Sequence, residues 1–308
     1  MPSFAPLYDR AASAPPVPPG LPLVIALTGF TDAGGAVARV VEYFRDDLDP
    51  SPLFAFSNDV LLDYRARRPI ISFDEDHLTD FRPPRLELSL AHDSLGQPFV
   101  LLAGYEPDFA WEAFAEAVLD LAEGLEVSSV TWVHAIPMPV PHTRPIGTTV
   151  SGTRSDLAEA HSVWRPHTQV PATAGHLLEY RFAQIGASVA GFVLLIPHYL
   201  GDTEYPAAAL AGLDSLTVAT GLVFSGDKLR DENRDYLVKV EEQVANSDEL
   251  TRMVQGLEER YDSYMAGSTQ ATPIIHTGDL PSADELAAEL ERFLATRGDD
   301  DKRGGGLS

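Results

Sequence analysis

Leu21-Pro22-Leu23-Val24-Ile25-Ala26-Leu27-Thr28-Gly29-Phe30-Thr31-Asp32-Ala33-Gly34-Gly35-Ala36-Val37-Ala38-Arg39-Val40-Val41-Glu42-Tyr43-Phe44 is the stretch whose reading decides the fold. Its opening, Leu21–Thr28, is a continuous apolar run of strand length, the pattern of a strand buried on both faces. Gly29–Gly35 reads as a turn. Ala36–Phe44 then places Val37, Val40, Val41 and Phe44 at helical spacing. A buried strand that passes through a short turn into an amphipathic helix is the opening of an α/β unit.

The same alternation continues outward. Leu53–Phe56 is a short strand, and Leu86–Leu90 and Pro98–Ala103 read as a hairpin or two neighbouring strands. Phe109–Leu125 is an amphipathic helix carrying Trp111, Phe114, Val118, Leu121 and Leu125 on one side. Ser129–Ile136 and Ser188–Ile196 are further apolar strands, and Ala174–Ile185 and Pro206–Thr220 are helices, the last with Pro206 in its first turn. Apolar strands alternating with helices predict an α/β sheet covered on both faces. Near Ser225 the pattern changes to successive helices, Asp231–Val244 and Ser247–Met265, with Asn246-x-x-Glu249 resembling a capping box. The second helix carries the stripe Leu250, Met253, Val254, Leu257, Tyr261 and Tyr264, suited to packing on the α/β body or on another subunit. The expected organisation is a proline-rich arm over 1–20, an α/β domain over 21–225 and a helical extension over 226–266. A linker with a last helix opened by Ser282-x-x-Glu285 follows over 267–296, then a disordered tail over 297–308.

Composition removes several classes of function. The 308 residues hold 22 Lys and Arg against 46 Asp and Glu, a formal charge of −24. Nucleic acid and anionic membranes require a basic surface, so neither is an expected partner. The absence of cysteine excludes disulfides, thiolate metal sites and cysteine nucleophiles. No apolar run reaches transmembrane length and no signal peptide is recognisable, which makes the cytoplasm the expected location.

In open α/β sheets, ligand sites form beyond the carboxyl ends of the strands. Turn-forming and polar residues collect at those positions here. Gly29, Asp32, Gly34 and Gly35 are placed either to cradle an anion at a helix N-terminus or simply to make the turn, with Asp32 as its cap. The segment is neither a Walker A loop nor G-x-G-x-x-G. Glu106 and Asp108 form an acid/base candidate pair, although Asp108 also sits where the next helix needs a cap. His142 and Arg144 lie in a proline-fixed loop, where they are placed to bind a carboxylate or phosphate or to order the loop itself. His198 follows a buried strand as a general-base candidate or a structural residue. The catalytic candidates are therefore Glu106, His142 and His198, with Arg144 holding an anionic group. The histidine spacings match no metal motif, so neither a metal nor a cofactor is expected. Arg65, Arg67 and Arg68 are the dense basic cluster of an acidic chain, suited to an acidic surface on a neighbouring subunit or to balancing local carboxylates. Asp74-Glu75-Asp76-His77 reads as a solvated charged loop. No G-x-S-x-G elbow occurs.

Five segments together resemble the proteasome assembly chaperone 2 (PAC2) family in its actinobacterial branch: Leu27–Gly35, Asp63–Pro69, Gly104–Asp108, Pro137–Pro145 and Pro197–Leu200. The resemblance implies a three-layer α/β/α sandwich of phosphorylase/hydrolase-like type with a helical C-terminal extension. It also implies a non-catalytic, assembly-chaperone-like protein that binds other proteins, proteasome subunits among them, and associates with itself, a trimer being one such form. The alternative is an enzyme or small-molecule binder of hydrolase, phosphorylase or ligase type using the strand-end crevice. The sequence ends Gly306-Leu307-Ser308 and lacks the hydrophobic–Tyr–any tripeptide with which proteasome-binding proteins dock, so docking by that route is not expected.

Overall fold

Leu23 and Ile25 turn to one side of the first long strand and Val24 and Ala26 to the other, and all four are buried. This two-sided burial fixes the strand at the centre of a covered sheet. The computed structural model describes residues 6–165 and 167–267. Its strands are β1 (Tyr8–Arg10), β2 (Pro22–Thr28), β3 (Ser51–Phe56), β4 (Ile70–Asp74), β5 (His77–Arg82), β6 (Leu86–His92), β7 (Pro98–Tyr105), β8 (Ser129–Met138), β9 (Gly147–Gly152) and β10 (Val189–Pro197). Its helices are α1 (Ala36–Asp47), α2 (Asn58–Leu61), α3 (Trp111–Gly124), α4 (Ser155–His161), α5 (Ala174–Gln184), α6 (Pro206–Thr220), α7 (Asp227–Ala245) and α8 (Asp248–Gly267).

Eight strands form one sheet in the order β1-β3-β6-β7-β2-β8-β10-β9. The central pairs β7–β2, β2–β8 and β8–β10 are parallel. The flanking pairs β1–β3, β3–β6, β6–β7 and β9–β10 are antiparallel. Helices α3 and α5 cover one face, where Phe114, Val118, Leu178 and Phe182 pack on Leu23, Ile25 and Trp132. Helices α1 and α6 cover the other, where Val37, Val40, Phe44, Leu213 and Leu216 pack on Val24, Ala26, Val133 and Phe192. The architecture is the three-layer α/β/α sandwich.

The arm contributes β1, a three-residue strand on the outer edge of the sheet. Prolines on either side confine it there, because proline cannot donate to a ladder. In the extension, Leu229 and Val240 of α7 join the cores beneath α6. Val254 and Leu257 of α8 are buried, and the Tyr264 hydroxyl donates to Val163 O at 2.5 Å, so the α8 stripe packs on its own chain. Ser247 caps α8 by accepting the Leu250 N–H at 3.3 Å, one residue after the expected Asn246, which instead ends α7.

The main departure from expectation is the β4–β5 ribbon, a separate two-stranded sheet that was not anticipated around the exposed charged loop. Asp74–His77 is its tip. The strand β9 and helix α4 were likewise not anticipated: Gly147-Thr148-Thr149-Val150-Ser151-Gly152 has little apolar alternation and pairs as the opposite edge of the sheet. The expected last helix and tail lie outside the described residues.

Candidate functional site

The helix after β2 packs on one face of the sheet, and the helix after the adjacent β7 packs on the other. Between two such strands the chain diverges, and a crevice opens at their carboxyl ends. Glu106, directly after β7, occupies it and is 7% exposed. Its backbone N–H donates to Thr28 O at 2.7 Å. Its carboxylate accepts the Ala174 N–H at 2.6 Å and the Phe30 N–H at 3.2 Å. Glu106 thereby ties the loop after β2 to the first turn of α5. Gly29 is glycine for the same reason: a Cβ there would lie 2.6 Å from Glu106 Cβ.

A small cavity adjoins this clamp, lined by Leu27, Phe30, Glu106, Trp132, His134 and Thr173 among others, with a volume of about 10 Å³. His134 is 7% exposed, and its ring makes no hydrogen bond among the described residues. Burial, with His176 nearby, pushes its pKa down to about 4. His176 accepts the Thr173 N–H at Nδ1 (3.1 Å) and lies 2.8 Å from the Thr173 hydroxyl, forming a capping box for α5. Burial lowers its pKa as well, with Glu106 acting in the opposite direction. Beneath the two histidines, Trp132 Nε1 and the Ser151 hydroxyl donate to Glu179 Oε2 at 2.7 and 2.8 Å.

The other sequence candidates lie elsewhere. Asp32 accepts the Val37 and Ala38 N–H groups, each at 2.8 Å, and so occupies the N-terminus of α1 with its own carboxylate. Burial raises its pKa despite those amides. Gly34, at φ 70°, donates its N–H to Gly201 O at 2.6 Å, and Gly35 donates to Asp32 O at 3.0 Å. His142 meets Tyr199 twice: its N–H donates to the phenol oxygen at 2.7 Å, and Nδ1 lies 2.6 Å from the same oxygen. Burial pushes the Tyr199 phenol up to about 12 and the His142 imidazole down. His198 stands edge-on to Tyr199 at 5.4 Å. Arg144 forms a fork with Asp262 (2.9 and 2.7 Å) and reaches Glu258 at 3.3 Å, fastening α8 to the loop after β8. None of Asp32, His142, Arg144 and His198 lines the Glu106 cavity.

The basic cluster divides in the same way. Arg67 donates to Glu106 O at 2.7 Å and Asp108 at 3.1 Å and lies over the Tyr105 ring, whereas Arg65 pairs with Asp63 and Arg68 is exposed. Asp108 does not cap α3. It accepts the Asp63 N–H at 2.7 Å together with Arg67, and Ala110 holds the cap position. The described residues contain no group of three potential metal ligands.

His134, His176 and Thr173 escaped the sequence reading. Their signals were a histidine inside an apolar strand and a Thr-x-x-His at a helix start.

The PAC2 family model matches residues 26–244. The chain belongs to the PAC2 family. A Mycobacterium tuberculosis protein of unknown function is 40% identical with a TM-score of 0.79, the match covering 86% of this chain and 94% of that one. A Corynebacterium glutamicum protein of unknown function is 34% identical with a TM-score of 0.80, covering 84% and 98%. A second M. tuberculosis protein, described as a proteasome-assembly chaperone homologue, shares the fold at 21% identity and TM-score 0.68, covering 76% and 100%. No curated protein matches. In this PAC2 chain no described helix is long and apolar enough to cross a membrane.

Proposed function

We propose that this PAC2 protein is a non-catalytic, assembly-chaperone-like factor that binds other proteins and its own copies. The observation that carries the reading is the β4–β5 ribbon. Phe73 and Leu78 are register partners, 73% and 61% exposed, and Ile71 and Phe81 beside them are also exposed. An isolated two-stranded ribbon is marginal in water, and a contiguous exposed apolar patch marks an interaction surface. Residues 65–85 hold five arginines against four acidic residues in a chain of charge −24, so this segment can approach a second acidic surface with little repulsion. Arg68 at the root of the ribbon is exposed to that contact, whereas Arg65 pairs with Asp63 and Arg67 is engaged within the fold. Of the candidate catalytic residues, His142 and His198 meet at Tyr199 and neither lines the cavity beside Glu106, a separation that favours binding over turnover.

Within this reading, the chain forms a homo-oligomer, a trimer being one form, acts in the cytoplasm, and has proteasome subunits among its partners. The fold shared with a proteasome-assembly chaperone homologue supports the last point. The test is light scattering and tagged pulldown of the wild type beside a Phe73→Asp/Leu78→Asp double variant. A folded variant that loses self-association and captured subunits supports the proposal. A wild type that stays at 33.4 kDa and enriches no partner overturns it.

A further inference from the structure

We propose that the cavity between Glu106, His134 and Thr173 receives the ammonium head of a small primary amine. This goes beyond the protein-binding reading and does not depend on it.

The polar groups facing the cavity are predominantly acceptors. The Glu106 carboxylate has two oxygens with about four lone-pair sites, and only two are taken, by the Ala174 and Phe30 amides. Nδ1 of His176 accepts the Thr173 N–H, so the Thr173 hydroxyl directs its hydrogen to that nitrogen and, after accepting the His176 N–H at 3.3 Å, keeps one lone pair. His134 remains neutral at physiological pH, which leaves one ring nitrogen as an acceptor. His134 lines the cavity without a hydrogen bond to the described residues, so its acceptor nitrogen is available to a small donor. An ammonium group offers three N–H donors to these three acceptors.

Charge and shape point the same way. The N-terminus of α5 contributes roughly half a positive charge beside Glu106, which offsets about half of the carboxylate and leaves the site net negative. An anion is therefore excluded. Phe30 and Trp132 line the same cavity, and aromatic rings attract a cation. A volume of about 10 Å³ is close to that of one water-sized group, the size of an ammonium head but too small for a quaternary one. Phe30 is 56% exposed at the mouth, and the apolar body of the amine would leave past it.

The test is a thermal-shift and calorimetric titration of the full chain with methylammonium chloride at constant ionic strength. Tetramethylammonium chloride and acetamide serve as the oversized cation and the neutral donor. Methylammonium is expected to raise the melting temperature saturably, by about 3 °C at tenfold over Kd, with tetramethylammonium and acetamide inert. His134→Phe keeps an aromatic ring against Trp132 and removes the acceptor, so its response is expected to vanish. Should that variant not fold, the ring shifts of His134 in the wild type provide the second readout and must move with methylammonium. Equal responses to methylammonium and either control, an undiminished response in His134→Phe, or no saturable response would overturn the proposal.

Discussion

His134 makes this protein sensitive to acid, and the size of the effect follows from its environment. An unfolded chain protonates a histidine near pH 6.5, whereas the folded one holds His134 neutral down to about 4. Between these values the unfolded state binds a proton that the folded state refuses. The contribution is therefore intact above pH 6.5, falls steadily as the pH drops, and is flat again below about 4. A displacement of that size amounts to about 3 kcal/mol at 1.36 kcal/mol per unit, a substantial part of the roughly 5–15 kcal/mol that holds a typical domain together. Urea unfolding of wild type and His134→Phe at half-unit steps from pH 7.5 to 3.5 isolates the effect, because carboxylates elsewhere titrate in both proteins. The variant carries a constant offset from altered packing. Its stability relative to wild type is expected to rise by about 3 kcal/mol as the pH falls from 6.5 to 4. Parallel stability curves across that range would show that His134 is solvated or hydrogen-bonded in the native protein and would refute the reasoning.

Gly29→Ala is expected to cost about 2–3 kcal/mol in chemical denaturation, because the new methyl displaces Glu106 and breaks both of its amide bonds; a loss below about 0.5 kcal/mol would exclude the close approach. Asp32→Ala should cost about 1 kcal/mol by leaving the Val37 and Ala38 amides without a cap, measured by the same method. In Arg144→Ala, limited proteolysis should cleave within α8 several-fold faster while the melting temperature hardly moves, since the fork to Asp262 and Glu258 fastens that helix at a solvent-exposed position. Tyr199→Phe removes the acceptor for the His142 amide, and hydrogen exchange at His142 is expected to accelerate.

Much of the body was legible in the residue pattern. The apolar runs at Leu21–Thr28, Ser129–Ile136 and Ser188–Ile196 became β2, β8 and β10 within a residue or two, because a strand covered on both faces tolerates little polarity along its length. The weakly patterned edges, β1 and β9, escaped, since an edge strand makes fewer demands on its side chains. The β4–β5 ribbon was hidden for the opposite reason. Its apolar residues are not in the core of this chain, so no burial pattern sets them off from the charged tip between them.

The site divides along the same line. Glu106 and Gly29 were singled out from sequence because they follow predicted strands, and the fold places them at the divergence of β2 and β7. His134 and His176 carry no local pattern that reveals their meeting. They lie 42 positions apart, on β8 and α5, and become neighbours only when α5 packs across the sheet. Arg144 was visible as a lone cation, but its pairing with Asp262 required α8 to fold back over the loop after β8. The sequence alone determined the buried strands and the helices that cover them, because hydrophobic period and turn chemistry are local. Tertiary structure decided which polar groups face one another, because that depends on strand order and on the face each helix covers. Neither is written in any one stretch of chain.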